Sequence, residues 1–119
     1  GCVIDGVTRD IDEYKELNLP VYGRGFIQQS IRNRCACAGY QIEVQLGGVP
    51  VRPGDLIVAD ENGICVVPTD RLEEVLGFAQ LIKSIEDKII EEVRSGVDAV
   101  TAHENVRYDL MTKAGYEPN

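Results

Sequence analysis

The chain has 119 residues, of which 44% are hydrophobic and 27% charged, with a formal net charge of −8. These values are typical of one globular domain, and the acidic balance argues against a nucleic-acid partner, which needs a basic surface. No apolar run approaches the roughly 20 residues of a membrane helix, and no charged leader precedes an apolar core. We therefore predict a cytoplasmic protein without a membrane or nucleic-acid partner.

The chain opens with an apolar run, Cys2-Val3-Ile4, which predicts a buried strand that ends at the turn signal Asp5-Gly6. Arg9 and Asp10 follow, just before a helical pattern, and strand-to-helix connections often hold ligand sites in α/β folds. Two interpretations stand. Asp10 is a helix N-cap beside a solvated Arg9, or the guanidinium binds a carboxylate next to a hard oxygen ligand for Mg²⁺ or Mn²⁺.

A short amphipathic helix is predicted over residues 11–17, followed by an extended segment over residues 20–22 that Gly23-Arg24-Gly25 breaks. Residues 26–40 predict a loop. The loop contains Arg32 and Arg34, and together with Arg24 they form the positive cluster of the chain. The cluster indicates either an anion-binding or subunit-contact loop, or an ordinary solvated one.

A β-rich region comes next. Alternating apolar residues predict a strand over residues 41–46, turned or bulged at Gly47-Gly48 and continued at Val49 and Val51. A turn over residues 52–55 leads to a hairpin of strands 56–59 and 64–67 around residues 60–63, which end in Asn-Gly. Pro68 ends the pairing.

A long helix is predicted from the capping pair Asp70 and Glu73 to about Ser95, with Gly96 as its stop. Its apolar face consists of Leu72, Val75, Leu76, Ala79, Ile82, Ile85, Ile89 and Val93. Leu81 and Ile90 fall off this face, where they could contact another subunit. A last helix is predicted from a capping box at Thr101 and Glu104, with Val106, Leu110 and Met111 as its apolar side and Gly115 as its end.

The four cysteines are Cys2, Cys35, Cys37 and Cys65. The single residue between Cys35 and Cys37 does not match the spacing of a zinc knuckle, and the one histidine is distant in sequence. We therefore expect free thiols in a reducing compartment.

Four landmarks in order resemble the RraA-like family, named after the regulator of ribonuclease activity A. They are Val3-Ile4-Asp5-Gly6 with Arg9-Asp10, Leu19-Pro20-Val21 with Arg24-Gly25, Gly47-Gly48-Val49 with Pro53-Gly54-Asp55, and Ala59-Asp60 with Gly63 and Val66-Val67-Pro68. The family includes class II, metal-dependent 4-hydroxy-4-methyl-2-oxoglutarate aldolases, which also decarboxylate oxaloacetate. The resemblance covers roughly residues 1–96.

The resemblance implies an α/β fold, a swivelling β/β/α sandwich with C-terminal helices, assembled as trimers or hexamers with sites between subunits. The family pattern also has an aspartate upstream of the arginine and a glycine-rich loop, whereas only eight residues precede Arg9 here. The resemblance therefore implies an N-terminally truncated domain. Residues 1–96 would be its C-terminal portion, and residues 97–119 a helical tail.

Residue by residue, the resemblance implies that Arg9 binds the carboxylate of the pyruvyl group and that Asp10 ligates Mg²⁺ or Mn²⁺. Glu86, on the long helix, would reach through a metal-bound water into the site of the adjacent subunit. The alternative for Glu86 is a solvated helix glutamate paired with Lys83 or with neighbours on the isoleucine face. Asp5 and Gly6 are expected to shape the turn rather than to touch substrate.

The implied function is a divalent-metal-dependent lyase that releases pyruvate from small 2-oxo acids by retro-aldol cleavage or decarboxylation. The alternative is a non-catalytic regulator that binds a ribonuclease. The label demethylmenaquinone methyltransferase, also used in the family, ranks last because the sequence lacks a glycine-rich nucleotide loop.

Overall fold

The computed structural model describes residues 1–108, and the chain divides into two compact units, Gly1–Thr69 and Asp70–Asn119. The first unit carries the strands, and the second carries the longest helix, so the expected α/β class is confirmed. The family-based boundary at residue 96 stays a prediction. Leu110, Met111 and Gly115, expected to complete the last helix, lie outside the described residues.

The first unit begins with a strand–helix–strand motif. β1 (Cys2–Thr8) pairs in parallel with β2 (Val21–Phe26), and α1 (Ile11–Glu16) connects them. The predicted turn at Asp5-Gly6 is wrong, because the pairing continues past it after a register shift between Ile4 and Val7. The predicted break at Gly23-Arg24-Gly25 is also wrong. In both places, hydrogen bonds to the neighbouring strand override the local glycine signal.

The expected burial of the opening run is likewise wrong, because Cys2 is exposed and Ile4 keeps 37% of its surface exposed. In β1 only Thr8 is buried. Two strands and a six-residue helix cannot enclose both faces of a sheet, so most of β1 stays in contact with solvent.

Two hairpins complete the first unit. β3 (Val44–Leu46) pairs with β4 (Val49–Val51) around two glycines, Gly47 at φ 61° and Gly48 at φ 84°. Side chains rarely adopt this left-handed region, so the sequence places glycine there. The predicted strand from residue 41 starts only at Val44, because Gln41 itself has a left-handed backbone at φ 54°.

The second hairpin follows its prediction. β5 (Leu56–Asp60) pairs with β6 (Gly63–Val67), and the Asp60 carboxylate accepts hydrogen bonds from the backbone N–H groups of Asn62 (2.7 Å) and Gly63 (3.3 Å). These bonds close the turn and hold the pKa of Asp60 below its usual value.

The second unit is helical. A 3₁₀ turn (Thr69–Arg71) precedes α2 (Leu72–Arg94), and α3 (Ala99–Asn105) follows. The predicted capping pair of Asp70 and Glu73 is wrong, because Arg71 occupies the N-cap position without a side-chain cap. Its guanidinium instead binds Glu74, with 2.9 Å between Arg71 Nε and Glu74 Oε2.

The predicted start of the last helix at Thr101 is also wrong, because Asp98 is the cap. Its carboxylate accepts hydrogen bonds from the N–H groups of Val100 and Thr101, each at 3.1 Å. At the other helix end, Gly96 lies directly after the C-cap Ser95 at φ 102°, which confirms the predicted stop.

The small core of the second unit joins its two helices. It consists of Ile85, Ile89 and Ala102, with Leu81, Ile82, Val97 and Val106 packed against it. Leu81 was expected to lie off the apolar face of α2, but it packs against the core that α2 forms with α3. Ile90 remains 45% exposed, as expected.

Over residues 1–108, no helix combines the length and apolar character needed to cross a bilayer. All four cysteines are free thiols, as expected, and all four are exposed.

Candidate functional site

Arg9 and Asp10 form the connection between β1 and α1. β1 ends at Thr8 and α1 begins at Ile11, so the two charged residues fill the whole connection. Arg9 Nε lies 3.2 Å from Asp10 Oδ2, and the two side chains are 48% and 50% exposed. The structure thus places the two predicted site residues side by side, with half of each side chain open to a ligand.

Asp10 does not cap the helix. It occupies the N-cap position, but its side chain makes no capping hydrogen bond, and its backbone is left-handed at φ 65° and ψ 43°. This conformation costs most residues about 1–2 kcal/mol, while aspartate and asparagine tolerate it better. The capping interpretation of Asp10 is therefore wrong, and its carboxylate is turned to Arg9.

Neighbouring contacts hold the connection in place. The buried Thr8 hydroxyl lies 3.0 Å from the Tyr14 hydroxyl, which joins the end of β1 to α1. The Tyr14 N–H donates to the carbonyl of Asp10 at 3.2 Å. The Ile27 N–H donates to the carbonyl of Thr8 at 2.9 Å, so the start of the following loop is fastened to the same point.

Two hollows meet at the Arg9–Asp10 pair. The first hollow, about 510 Å³, is lined by the pair together with Asp12, Lys15 and Phe26 among others. The second hollow, about 530 Å³, is lined by the pair together with Thr8, Tyr14, Gln29, Ser30, Arg34 and several apolar side chains. Volumes of this size suit small-molecule ligands.

The pair suits a magnesium-type site better than a zinc-type one. Among residues 1–108 no group of three or more histidine, cysteine or carboxylate side chains could hold a metal ion. Mg²⁺ needs no such cage, since it commonly binds through one or two carboxylates and completes its shell with water and substrate oxygens. The half-exposed carboxylate of Asp10 offers that kind of ligand, so the residues present fit the implied metal.

Asp5 was expected to shape a turn, but in the structure it lies within β1 and joins neighbouring segments. It forms an ion pair with Arg24 on β2, and it accepts a hydrogen bond from the Gly47 N–H at 2.9 Å. The hydrogen bond from Arg24, followed by that from Gly47, lowers the pKa of Asp5. An aspartate inside a strand pattern is itself unusual, and this was the available signal.

This pairing also corrects the predicted arginine cluster. Arg24 lies within β2, bound to Asp5, rather than in the loop of residues 26–40. Arg32 and Arg34 remain in that loop. Its first residue, Phe26, ends β2, and residues 27–40 contain no strand or α-helix, as expected.

Glu86 lies on α2 in the second unit and is partly buried. Lys83 pairs with Asp87, one helical turn further on, so the expected pairing of Glu86 with Lys83 is wrong. The alternative of a helix glutamate beside the isoleucine face stays open. The assignment of Glu86 to the site of an adjacent subunit stays a prediction.

The strands and helices together define an α/β domain with a polar pair on its first β–α connection. A family model described as "RraA-like: Aldolase/RraA" matches residues 1–66, more than half of the chain. The chain belongs to the RraA-like family, as its landmarks predicted.

Two curated relatives extend the similarity past the matched range. "Protein DlpA" of Legionella pneumophila is 36% identical over 109 residues, which cover 92% of this chain and 18% of that protein. A protein of Halalkalibacterium halodurans named "Putative 4-hydroxy-4-methyl-2-oxoglutarate aldolase" is 34% identical over 103 residues, covering 87% of this chain and 49% of that one.

A solved structure supports the fold. The crystal structure of an uncharacterized protein from Pseudomonas syringae matches with a TM-score of 0.78 and 37% identity, over 82% of this chain and 49% of that one. The chain thus spans about half the length of this protein and of the aldolase-named relative, and the RraA-like fold expected from the sequence is confirmed.

Proposed function

We propose that the protein acts as a divalent-metal-dependent lyase that releases pyruvate from small 2-oxo acids, by retro-aldol cleavage or by decarboxylation. The observation that supports this most directly is the Arg9–Asp10 pair, half exposed between two hollows, on the connection that follows β1. The name of the aldolase-like relative supports the same class of reaction.

Arg9 orients the substrate in this proposal. A guanidinium can bind a carboxylate through two parallel hydrogen bonds, which fixes both its position and its plane. In the structure, Arg9 Nε is engaged by Asp10 Oδ2, which positions the guanidinium at the border of the hollows. Fixing the carboxylate also fixes the adjacent 2-oxo group and the bond that breaks.

Asp10 supplies the carboxylate that would hold Mg²⁺ or Mn²⁺. When bound, such an ion supplies Lewis-acid stabilisation of negative charge on the 2-oxo oxygen. Asp10 would then have two tasks, to hold the cation and to hold Arg9. The chain thus holds a carboxylate-binding cation, Arg9, next to a metal-binding anion, Asp10.

The proposed reaction needs no covalent intermediate between the substrate and the enzyme. In oxaloacetate decarboxylation the C3–C4 bond breaks, its electron pair forms the enolate of pyruvate, CO₂ leaves, and C3 then takes up one proton. Lys15, the lysine on the first hollow, is unsuited to a Schiff base: its side chain is 75% exposed and its Nζ lies 4.0 Å from Asp12 Oδ1. An amine nucleophile is usually activated by desolvation or by a neighbouring cation.

We also propose that the active assembly is a homotrimer or hexamer in the cytoplasm, in which Glu86 of one subunit reaches the site of the next through a water. The partly buried position of Glu86, with Lys83 engaged by Asp87, leaves its carboxylate for such a role.

The function is tested by pyruvate release from oxaloacetate, followed with lactate dehydrogenase and NADH. The 119-residue chain with Mg²⁺ should exceed the rate of free Mg²⁺ alone, lose this excess in EDTA and regain it when Mg²⁺ is restored. A rate equal to that of free Mg²⁺ would contradict the proposal for this chain.

A further inference from the structure

The second hollow contains an arginine that the proposed function does not yet use. Arg9 and Arg34 both line this hollow, and they come from different segments of the chain: Arg9 from the β1–α1 connection and Arg34 from the loop of residues 26–40. Two guanidinium groups on one hollow of about 530 Å³ constitute an unusual concentration of positive charge in a chain of net charge −8.

Backbone hydrogen bonds hold Arg34 in this position. The N–H groups of Arg34 and Cys35 both donate to the carbonyl of Ile31, at 2.9 and 3.3 Å, and form a turn. The start of the same loop is bound to β1 through Ile27 and Thr8. The loop therefore presents Arg34 to the hollow from a segment anchored next to Arg9.

The charges on the hollow are unbalanced. Asp10 is the carboxylate on its lining, and Asp10 is bound to Arg9. Within residues 1–108, no carboxylate lies in ion-pair distance of Arg34. The lining of the hollow also includes the apolar side chains of Ile27 and Ile31, which suit the carbon chain of a ligand.

We infer that Arg34 binds the second carboxylate of a dicarboxylic 2-oxo acid whose first carboxylate is bound by Arg9. This inference rests on the proposed function and assigns a residue to the second carboxylate that oxaloacetate and 4-hydroxy-4-methyl-2-oxoglutarate both carry. Arg34 is a specificity-determining residue in this account, since a monocarboxylic acid leaves it without a partner in the hollow.

The test measures binding rather than turnover. L-malate and L-lactate share a 2-hydroxy acid end and differ in the second carboxylate, and neither is decarboxylated by the proposed chemistry. Their dissociation constants are measured by NMR titration in the presence of Mg²⁺. The full-length chain should bind L-malate about 10- to 100-fold more tightly than L-lactate, the range expected for a charged hydrogen-bonded contact.

Arg34→Gln should remove most of this preference by weakening L-malate binding while leaving L-lactate binding unchanged. Arg34→Lys should restore part of it, because lysine keeps the charge without the two-pronged geometry. Arg32→Gln is the matched control, since Arg32 lies two residues away and does not line the hollow. It should leave both dissociation constants unchanged.

Three results would overturn the inference: equal affinity of the wild-type chain for both acids, an equal loss in Arg32→Gln, or an equal weakening of both acids in Arg34→Gln. The outcome is separable from that of the proposed function. A chain that prefers L-malate through Arg34 but releases no pyruvate refutes the lyase and keeps the subsite. A chain that releases pyruvate without this preference keeps the lyase and loses the subsite.

Discussion

Asp10 combines an unfavourable backbone with an exposed charge, and neither is needed to build the fold. A residue at φ 65° that also fails to cap its helix would be replaced at little cost by asparagine or glycine if stability alone mattered. Strain of this kind is often found at functional sites, where geometry is kept at the expense of stability. The backbone of Asp10 is therefore consistent with its proposed role.

This interpretation predicts different stabilities for two variants of Asp10. Asp10→Ala and Asp10→Asn both lose the ion pair to Arg9, but only alanine is poorly suited to the left-handed backbone. Asp10→Ala should therefore be less stable than Asp10→Asn by about 1 kcal/mol in urea denaturation. Equal stability of the two variants would show that the backbone of Asp10 is not left-handed in solution.

At the scale of elements, Asp5 on β1 contacts both β2 and the turn of the first hairpin. It binds Arg24 across the parallel pair and the backbone of Gly47 in the turn between β3 and β4. The single carboxylate thus joins the strand–helix–strand motif to the first hairpin, at a place where the interior apolar packing is sparse.

Because its folded-state pKa is lowered, Asp5 contributes stability above its unfolded pKa of about 4, and this contribution is lost as pH falls through the folded value. The melting temperature should therefore fall below about pH 4. Asp5→Asn should lower it near neutral pH and make the decline below pH 4 shallower. Thermal melts from pH 7 to pH 2.5 measure this, with Asp12→Asn on the exposed side of α1 as control. An unchanged acid profile in Asp5→Asn would contradict the assignment.

Two glycines of the second unit provide a matched pair. A Cβ added at Gly77 or at Gly96 meets no atom within 4 Å, but Gly77 lies inside α2 and Gly96 has φ 102°. Gly77→Ala should stabilise the chain by about 1 kcal/mol through helix propensity, and Gly96→Ala should destabilise it by about 1 kcal/mol through backbone strain. Chemical denaturation measures both. The same sign of effect for both variants would show that Gly96 does not have the left-handed backbone that stops α2.

At the scale of the whole molecule, large apolar side chains remain open to solvent. Phe26 and Ile31 are each 72% exposed, and Val58 is 55% exposed. This exposed apolar surface favours association. Sedimentation velocity should show a trimer or hexamer, and Glu86→Gln should leave that assembly intact while lowering pyruvate release. A stable monomer over the micromolar range would contradict the proposed assembly.

The sequence predicted the parts of the molecule that depend on neighbouring residues. Glycines at Gly47-Gly48, the Asn-Gly turn of the second hairpin and the stop at Gly96 each act within a few residues, and each was located correctly. The Arg9–Asp10 pair was also identified, since its two members are adjacent in the chain.

The wrong or missed predictions concern features that depend on residues distant in the sequence. Pairing with β2 carries β1 past Asp5-Gly6, and Asp5 finds partners 19 and 42 residues away in Arg24 and Gly47. Arg34 lines the hollow beside Arg9, and the loop that carries it is bound to β1 through Ile27 and Thr8. Local patterns do not encode such contacts, so neither the role of Asp5 nor the position of Arg34 could be predicted.

In the proposed function, Asp10 holds the metal for a lyase reaction. The most direct measurement compares Mg²⁺-dependent pyruvate release from oxaloacetate by the wild-type chain, Asp10→Asn and Asp12→Asn, at equal protein and metal concentrations. Asp12 lies two residues further on, is 92% exposed, and lines the same first hollow, which makes it a matched carboxylate control. We predict that Asp10→Asn loses at least about 100-fold of the protein-dependent rate, while Asp12→Asn retains it. Equal rates for wild type and Asp10→Asn would contradict the claim.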